Sequence, residues 1–320
     1  MEQPRIRGCS LEREQMTVWL CPGQGAQKSG MGSDLLKSQK VAHVFDVLSD
    51  ALGVDLARLS KEGTQEEIND TVAAQGLTMA VSVGVGKLLL DRGIKPSALV
   101  GFSLGQISAL VLAGILPLEE AARLLKVRSE SMAAACAAQP GGMVALIGAS
   151  LSDAQDVCAQ AAGSDVLVCA NHNGPSQVVV SGHDSALERA QKLWTEAGKK
   201  SVRLATSGAF HSPLMSPAAD DVEKFCSSLD FREPEITLIC NTDAQPFLVE
   251  EAAKRLGRHV NDEVLFEESI RALLDDGETE FVEIGFGNVL TNLVKRIDRS
   301  TERHLVGNET QVHEYITNNA

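Results

Sequence analysis

The chain has 320 residues, of which 44% are hydrophobic and 22% charged, so it can bury one large core or two moderate ones. The net charge of -14 argues against nucleic acid as a partner, because phosphate binding needs clustered lysine and arginine side chains. No run approaches the roughly 18 consecutive apolar residues of a membrane helix, and the first residues are polar and charged, so we expect neither a membrane span nor a secretory signal.

Strands and helices are predicted to alternate along the first part of the chain. Residues 1–15 have no periodicity and are predicted to form a disordered tail, and Met16 is an alternative start of the protein. The predicted elements are a strand over 17–22, a helical region over 31–52, a helix N-cap at Thr64, a helix over 74–92, a strand over 97–101, and helices over 103–114 and 118–138. This alternation is typical of a parallel sheet covered by helices.

The pattern changes at residues 139–142, where Gln-Pro-Gly-Gly interrupts the helical periodicity. The elements predicted next are a strand (143–148), a helix (151–162), two strands (166–170 and 177–181), a helix (184–197) and a strand (201–205). Their order is that of the split ferredoxin-like motif. After Ser207 the predicted elements are a strand (236–240), two helices (247–257 and 264–275), a strand (279–284) and a helix from 287.

The change of pattern divides the chain into two units. We predict one large α/β domain with a parallel sheet, formed by residues 16–138 and 206–320. A small ferredoxin-like α+β subdomain over residues 139–205 is predicted to be inserted into it.

Ser103 is the first candidate for a catalytic residue. Gly-Phe-Ser-Leu-Gly at 101–105 lies between an apolar run and a helix-like segment, an arrangement that exposes a serine nucleophile at a sharp turn. The five-residue pattern also arises by chance in a chain with 27 glycines. Ser103 could instead be a helix N-cap, with Gln106 three residues later as in a capping box.

Three further residues lie in sequences that suit an active site. The loop Pro22-Gly-Gln-Gly-Ala-Gln27 contains Gln24, and its glycines allow backbone N–H groups to face a cavity. Arg128 lies in a predicted helix, and His211 lies in a loop before a helix that Pro213 can begin. Each has an ordinary alternative as a turn residue, an exposed helical arginine or a structural loop histidine.

The cysteines and the remaining histidines carry no site of their own. The seven cysteines include no Cys-x-x-Cys pair and lie among apolar neighbours, which is typical of small buried side chains in a reducing compartment. The histidines that match no metal-ligand spacing are His43, His172, His183, His304 and His313. These features favour a cytoplasmic enzyme.

Six motifs occur in order along the chain: Pro-Gly-Gln-Gly-Ala-Gln (22–27), Gly-Phe-Ser-Leu-Gly-Gln (101–106), Arg-Ser-Glu-Ser-Met (128–132), the segment 171–182, Gly-Ala-Phe-His-Ser-Pro-Leu-Met (208–215) and Glu-Ile-Gly-Phe-Gly-Asn-Val-Leu (283–290). Taken together, they resemble the motifs of the malonyl-CoA:acyl-carrier-protein transacylases and of the acyltransferase domains of fatty-acid and polyketide synthases. Each is weak alone. The resemblance extends from about Thr17 to about Val306.

The resemblance implies a fold and a reaction. The large domain would be α/β-hydrolase-like, and the enzyme would move a malonyl group from malonyl-CoA to the phosphopantetheine thiol of acyl carrier protein in fatty-acid synthesis. The resemblance implies a malonyl ester on Ser103 with His211 as general base, and no metal or redox cofactor. It implies an oxyanion hole formed by the backbone N–H groups of Gln24 and Leu104. The residues that it implies for substrate binding are Arg128, Phe210, Met132 and Asn171.

The chain departs from the family pattern at three positions. The family orients its histidine through a backbone carbonyl at a position usually occupied by Gln, and counting back from Asp262 gives His259 here. Any residue supplies a carbonyl, so the resemblance still implies that His259 orients His211 through its backbone. The family commonly has Glu where this chain has Gln106, and Pro where it has Phe286.

Other functions and the mode of docking stay open at this level. The same transfer could serve a polyketide or malonate decarboxylase system, and rivals from other classes are a serine esterase or thioesterase and a non-catalytic scaffold. We expect a monomer. Carrier proteins are acidic, so docking to this anionic chain needs a local basic patch. Candidates are Lys199, Lys200 and Arg203, or Lys295 and Arg296, each of which could also belong to a solvated charged face.

Overall fold

The fold is built on a parallel sheet that contains both the first and the last strands of the described chain. The structure is a computed structural model, and it describes residues 17–319. The predicted tail and the alternative start at Met16 lie outside the described residues. The strands are β1 (Thr17–Cys21), β2 (Ala98–Gly101), β3 (Gly142–Ile147), β4 (Leu167–Gly174), β5 (Gln177–Gly182), β6 (Lys200–Arg203), β7 (Thr237–Ile239), β8 (Val264–Leu265), β9 (Glu280–Ile284) and β10 (Glu302–Val306). The parallel sheet has the order β10-β9-β1-β2-β7.

Helices cover both faces of this sheet. They are α1 (Gln39–Leu52), α2 (Leu56–Glu62), α3 (Gln65–Asn69), α4 (Thr71–Leu90), α5 (Gly105–Leu112), α6 (Leu118–Ala138), α7 (Leu151–Ala161), α8 (Asp184–Glu196), α9 (Ser216–Cys226), α10 (Ala252–Asn261), α11 (Phe266–Asp275), α12 (Val289–Ile297) and α13 (Glu309–Asn319). Along β1, Trp19 and Cys21 pack into one apolar cluster, while Val18 and Leu20 pack into another on the opposite face. Burial of both faces explains the uninterrupted apolar run of this strand.

Helix α4 is a core helix. Its length and composition alone would suit a membrane span, but 83% of its apolar window is buried inside the fold. It packs along α1 and α5. Asp70 caps its first turn, because the Asp70 carboxylate accepts hydrogen bonds from the N–H groups of Val72 and Ala73. The predicted N-cap at Thr64 is confirmed, and it forms a capping box with Glu67 at the start of α3.

A second sheet contains the strands predicted for the inserted segment. Its order is β6-β3-β5-β4-β8, in which β3 is antiparallel to β6 and β5, and β4 is antiparallel to β5. Helices α7 and α8 pack on one face and bury Trp194. On the other face, Met143, Ala145 and Val179 join the core of the large unit. The second sheet is therefore covered on both sides.

The second sheet extends beyond the predicted segment. Strand β8 comes from the late part of the chain and pairs in parallel with β4 at Asn171 and His172. The sequence predicts a helix over 264–275, whereas the structure has β8 at 264–265 and begins α11 at Phe266. A strand of two residues is too short to show a twofold periodicity, so this pairing could not be predicted from the pattern.

The cysteines agree in part with the sequence interpretation. The six that lie within residues 17–319 are all free thiols. Cys21, Cys158, Cys226 and Cys240 are buried, whereas Cys136 and Cys169 are partly exposed. Cys9 lies outside the described residues.

Candidate active site

The candidate site lies where β1 and β2 end at the same edge of the parallel sheet. The chain leaves β1 toward β2 on one side and returns to β9 on the other, so a crevice is expected beyond the carboxyl ends of these strands. Two loops lie close together there. A Cβ atom at Gly23 would lie 2.6 Å from the carbonyl oxygen of Phe102, and one at Gly105 would lie 1.9 Å from that of Cys21. Only glycine allows these approaches.

Ser103 occupies the sharp turn between β2 and α5. Its φ of 52° is a left-handed conformation that a serine adopts only under strain. The next residue, Leu104, is the N-cap of α5, where backbone N–H groups have no partner within the helix. Within residues 17–319, positive φ at non-glycine residues occurs only at Ser103, His211 and Ala244. Two of the three are candidate catalytic residues.

His211 is hydrogen-bonded to Ser103. The Ser103 Oγ atom lies 2.7 Å from His211 Nε2. On the other side of the ring, Nδ1 lies 3.0 Å from the carbonyl oxygen of Asp262 and donates to it. The Nδ1–H tautomer leaves the lone pair on Nε2 free to accept the serine proton. The main chain of His211 is also fixed, because its N–H donates to the Val260 carbonyl over 3.2 Å.

The prediction that His259 supplies the orienting carbonyl is wrong, because Asp262 supplies it. His259 lies within the last turn of α10, where carbonyl groups point along the helix axis. Asp262 is the C-cap residue and has an extended conformation, with φ -91° and ψ 161°, so its carbonyl can point away from the helix. The side chain of His259 instead contacts the side chain of Asn241 through Nε2.

Arg128 extends from α6 into the same site and is 2% exposed. Its Nη2 atom lies 3.2 Å from Ser103 Oγ, and Nη1 donates to Gln75 Oε1 over 2.6 Å. Among residues 17–319, no carboxylate forms an ion pair with Arg128, and its Nε has no hydrogen-bond partner. Burial lowers the pKa of Arg128 to about 10, so the guanidinium remains charged at neutral pH. A buried, unpaired cation is unfavourable unless an anion binds to it.

The environment keeps His211 neutral. Burial, together with the nearby Arg128 guanidinium, lowers the pKa of His211 to about 3, although the hydrogen bond to the Asp262 carbonyl acts in the opposite direction. A neutral imidazole can accept a proton, whereas an imidazolium cannot. A neutral His211 ring is therefore able to accept a proton at neutral pH.

The other predicted site residues lie on several different elements of the fold. Phe210 is buried directly before His211. Gln24 is half-buried in the loop after β1, beside the turn that contains Leu104. Met132 is buried on α6, and the Nε2 atom of Gln75 lies 3.9 Å from its sulfur. Asn171 is buried on β4, where it pairs with β8.

Gln75 is a site residue that the sequence interpretation missed. It is fully buried in α4 and contacts both Arg128 and Met132. A polar residue in an otherwise apolar, buried helix is the signal that could have identified it.

A Ser–His pair beside a strained turn, with a backbone carbonyl holding the histidine and a buried arginine nearby, is the type of arrangement that enzymes of acyl transfer use. The family described as "Acyl transferase domain" matches residues 18–317. The chain belongs to this family, and the resemblance is confirmed.

Within this family, the chain is similar to proteins named as malonyl transacylases. The chain is 36% identical over 287 residues to the malonyl CoA-acyl carrier protein transacylase of Bacillus subtilis (strain 168), covering 88% of this chain and 90% of the relative. A crystal structure of malonyl-CoA:acyl carrier protein transacylase from Xanthomonas oryzae has a TM-score of 0.91 and 35% identity, covering 95% of this chain and 98% of that one. A type II PKS acyl-carrier protein in complex with its malonyl-transacylase has a TM-score of 0.90 and 33% identity, covering 95% and 99%.

Proposed function

We propose that this protein transfers a malonyl group from malonyl-CoA to the phosphopantetheine thiol of acyl carrier protein in fatty-acid synthesis. Arg128 supports this function most directly, because its buried charge lies 3.2 Å from the Ser103 hydroxyl and has no carboxylate partner among residues 17–319. The free carboxylate of a malonyl group would complete that pairing with two parallel, charge-assisted hydrogen bonds. Relatives named as malonyl CoA-acyl carrier protein transacylases support the same reaction.

The reaction proceeds in two acyl transfers. Ser103 Oγ attacks the thioester carbonyl of malonyl-CoA while His211 Nε2 accepts the hydroxyl proton. The backbone N–H groups of Leu104 and Gln24 stabilise the oxyanion, a type of interaction worth about 10²- to 10³-fold in rate for each donor. The C–S bond then breaks, and His211 returns the proton to the coenzyme A thiolate. The carrier thiol enters and loses its proton to His211, and its sulfur attacks the ester carbonyl. The C–O bond to Ser103 then breaks, His211 returns the proton to Ser103 Oγ, and the malonyl group leaves on the carrier thiol.

No step of this chemistry requires a metal or a redox cofactor, because proton transfer and charge stabilisation are both supplied by the protein. Coenzyme A and phosphopantetheine take part as substrates. A monomeric state and a cytoplasmic location stay predictions, the first to be checked by a sizing measurement.

We infer that the large unit is an α/β-hydrolase-like domain formed by residues 16–138 and 206–320, with a ferredoxin-like subdomain over 139–205. The strand, turn and helix around Ser103, next to the central strand β1, support the first assignment. The antiparallel order β6-β3-β5-β4 supports the second. Strand β8 belongs to the segment assigned to the large unit, and it pairs with β4 of the subdomain sheet.

The carrier protein is proposed to dock on α12. Lys295 and Arg296 are exposed there and have no carboxylate partner within the described part of the chain. Of the alternative patch, Lys199 and Arg203 are paired with Asp153 and Asp184, which leaves Lys200 as its one exposed cation without such a pair among residues 17–319. Helix α12 also begins near the active-site loop. A Cβ at Gly287, two residues before α12, would lie 2.9 Å from the Ala26 Cβ.

This docking surface predicts a salt-dependent interaction. The KM for the carrier protein should rise with ionic strength, because screening weakens attraction between a basic patch and an acidic partner. Replacing both Lys295 and Arg296 with Ala should remove most of this dependence. Lys95→Ala is the matched control, because Lys95 is exposed before β2, at the opposite edge of the sheet. A KM that does not change with salt in the wild type would exclude the patch.

Transfer can be separated from hydrolysis by one assay. With malonyl-CoA and the holo carrier protein, we expect malonyl-carrier to accumulate much faster than free malonate appears without the carrier. Faster hydrolysis than transfer would instead indicate a thioesterase.

The structure of a type II PKS carrier protein with its malonyl-transacylase supports a second candidate, the same transfer in polyketide synthesis. Comparing fatty-acid and polyketide carrier proteins as acceptors in this assay distinguishes the two.

A further inference from the structure

We infer that Gln106, Asn241 and His259 form a positioning relay, a chain of hydrogen bonds that keeps the His211 ring aligned with the Ser103 hydroxyl. The inference rests on the proposed roles of Ser103 and His211. None of the three relay residues contacts the Ser103 hydroxyl in the described hydrogen bonds, so they would act through the backbone groups that hold the His211 ring.

The relay begins on the helix of the nucleophile. Gln106 lies three residues after Ser103, in the first turn of α5, and its Oε1 accepts a hydrogen bond from the Asn241 N–H over 3.3 Å. Asn241 follows β7, the neighbour of β2 in the sheet. The Oδ1 atom of Asn241 accepts a hydrogen bond from His259 Nε2. The last turn of α10 is thereby tied to the start of α5.

The relay is connected to Ser103 through His211. The residue after His259, Val260, accepts the His211 N–H, and Asp262 accepts Nδ1–H over 3.0 Å. His211 Nε2 then returns to Ser103 over 2.7 Å. A shift of α10 relative to α5 would therefore move both carbonyl groups that hold the histidine, while the serine stayed with α5.

The composition of the relay suits positioning better than stability. Gln106, Asn241 and His259 are 0%, 1% and 2% exposed. The amide nitrogens Gln106 Nε2 and Asn241 Nδ2 are buried and have no hydrogen-bond partner among residues 17–319. Unpaired buried donors destabilise a fold, so apolar side chains of similar size would serve stability at least as well. What apolar side chains could not supply is a directional link between the two helices.

His259 acts in this relay as a neutral hydrogen-bond donor. Burial and the positive charge of Arg128 lower the pKa of His259, with His211 adding to the effect. Its ring centroid lies 6.3 Å from that of His211, with the planes at 84°. An amide donor of similar reach could therefore replace the imidazole, whereas an aliphatic side chain could not.

The test compares His259→Leu, which removes the donor, with His259→Gln, which keeps one. The first readout is the tautomer of His211, measured by ¹⁵N NMR of histidine-labelled protein without substrate. We expect the Nδ1–H tautomer in the wild type and in His259→Gln, and a mixed population in His259→Leu. His43→Leu is the control, because His43 is exposed on α1.

The second readout is the rate of acyl-enzyme formation. We expect His259→Leu to lower it by up to about 10²-fold with little change in KM, since small misplacements of reacting groups have effects of this size. His259→Gln should restore most of the rate. Gln106→Met removes the acceptor at the other end of the relay and should shift the His211 tautomer in the same direction, which gives a second route if His259→Leu does not fold.

An unchanged His211 tautomer in folded His259→Leu or Gln106→Met would overturn the relay. This outcome differs from failure of the proposed function. The tautomer is measured without substrate. If the wild-type protein transferred no malonyl group but the variants still shifted the His211 tautomer, the relay would be supported and the proposed function contradicted.

Discussion

Ser103→Ala is expected to gain no mass when it is incubated with malonyl-CoA, whereas the wild-type protein should gain one malonyl group. The substitution removes the only atom that the proposed mechanism acylates. The hydroxyl lies 2.7 Å from the base and 3.2 Å from the guanidinium, so no other serine is needed to explain the site. Mass spectrometry of the intact protein measures the adduct directly.

Ser108→Ala is the matched control for this experiment. Ser108 lies on α5, the helix that follows the Ser103 turn, is buried, and its hydroxyl has no hydrogen-bond partner within the described part of the chain. It should acquire the malonyl adduct as the wild type does. A mass gain retained by Ser103→Ala would show that the nucleophile is another residue.

His211→Ala should form the same adduct, but about 10²- to 10⁴-fold more slowly, which is the usual contribution of a positioned general base. Acyl-enzyme formation by His211→Ala at the wild-type rate would show that another group accepts the serine proton. Rapid-quench measurement of acyl-enzyme formation provides the rates.

The alternation of strands and helices could be predicted from sequence because both periodicities are strong. The run before Ser103 reads as a buried strand, and the apolar positions of α4 and α6 extend over 20 and 21 residues. Short elements could not be predicted this way. Strand β8 has two residues, and the first part of the predicted 31–52 helix is a turn and a three-residue 3-10 helix before α1 begins at Gln39.

The sequence also predicted the residues that meet in the site, but not how each is held. Ser103, Arg128 and His211 come from three distant segments, and only the ordered motifs associated them. The carbonyl group that orients His211 could not be identified from sequence, because any residue supplies a carbonyl. The difference between His259 and Asp262 depends on where α10 ends, and helix ends are the least predictable feature of a pattern.

Acetyl-CoA should be a very poor substrate for the wild-type protein. An acetyl group lacks the carboxylate that Arg128 would pair with, so its binding would leave the buried cation without a partner. Rejection of a substrate that lacks the expected polar group can reach about 10⁴- to 10⁵-fold. Methylmalonyl-CoA should also react poorly, because the Phe210 ring next to His211 would crowd an α-methyl branch. Values of kcat/KM for the three thioesters measure both effects.

Arg128→Ala should reduce kcat/KM for malonyl-CoA by orders of magnitude and raise the ratio of acetyl to malonyl transfer, because the unpaired charge is gone. Arg128→Lys separates charge from geometry. It keeps a cation but cannot form two parallel hydrogen bonds to a carboxylate, so we expect malonyl transfer to stay well below the wild type. Phe210→Ala should leave the malonyl-to-acetyl ratio intact and raise methylmalonyl transfer. If Arg128→Ala kept the malonyl-to-acetyl ratio of the wild type, the carboxylate would have to be recognised elsewhere, and the role assigned to Arg128 would be wrong.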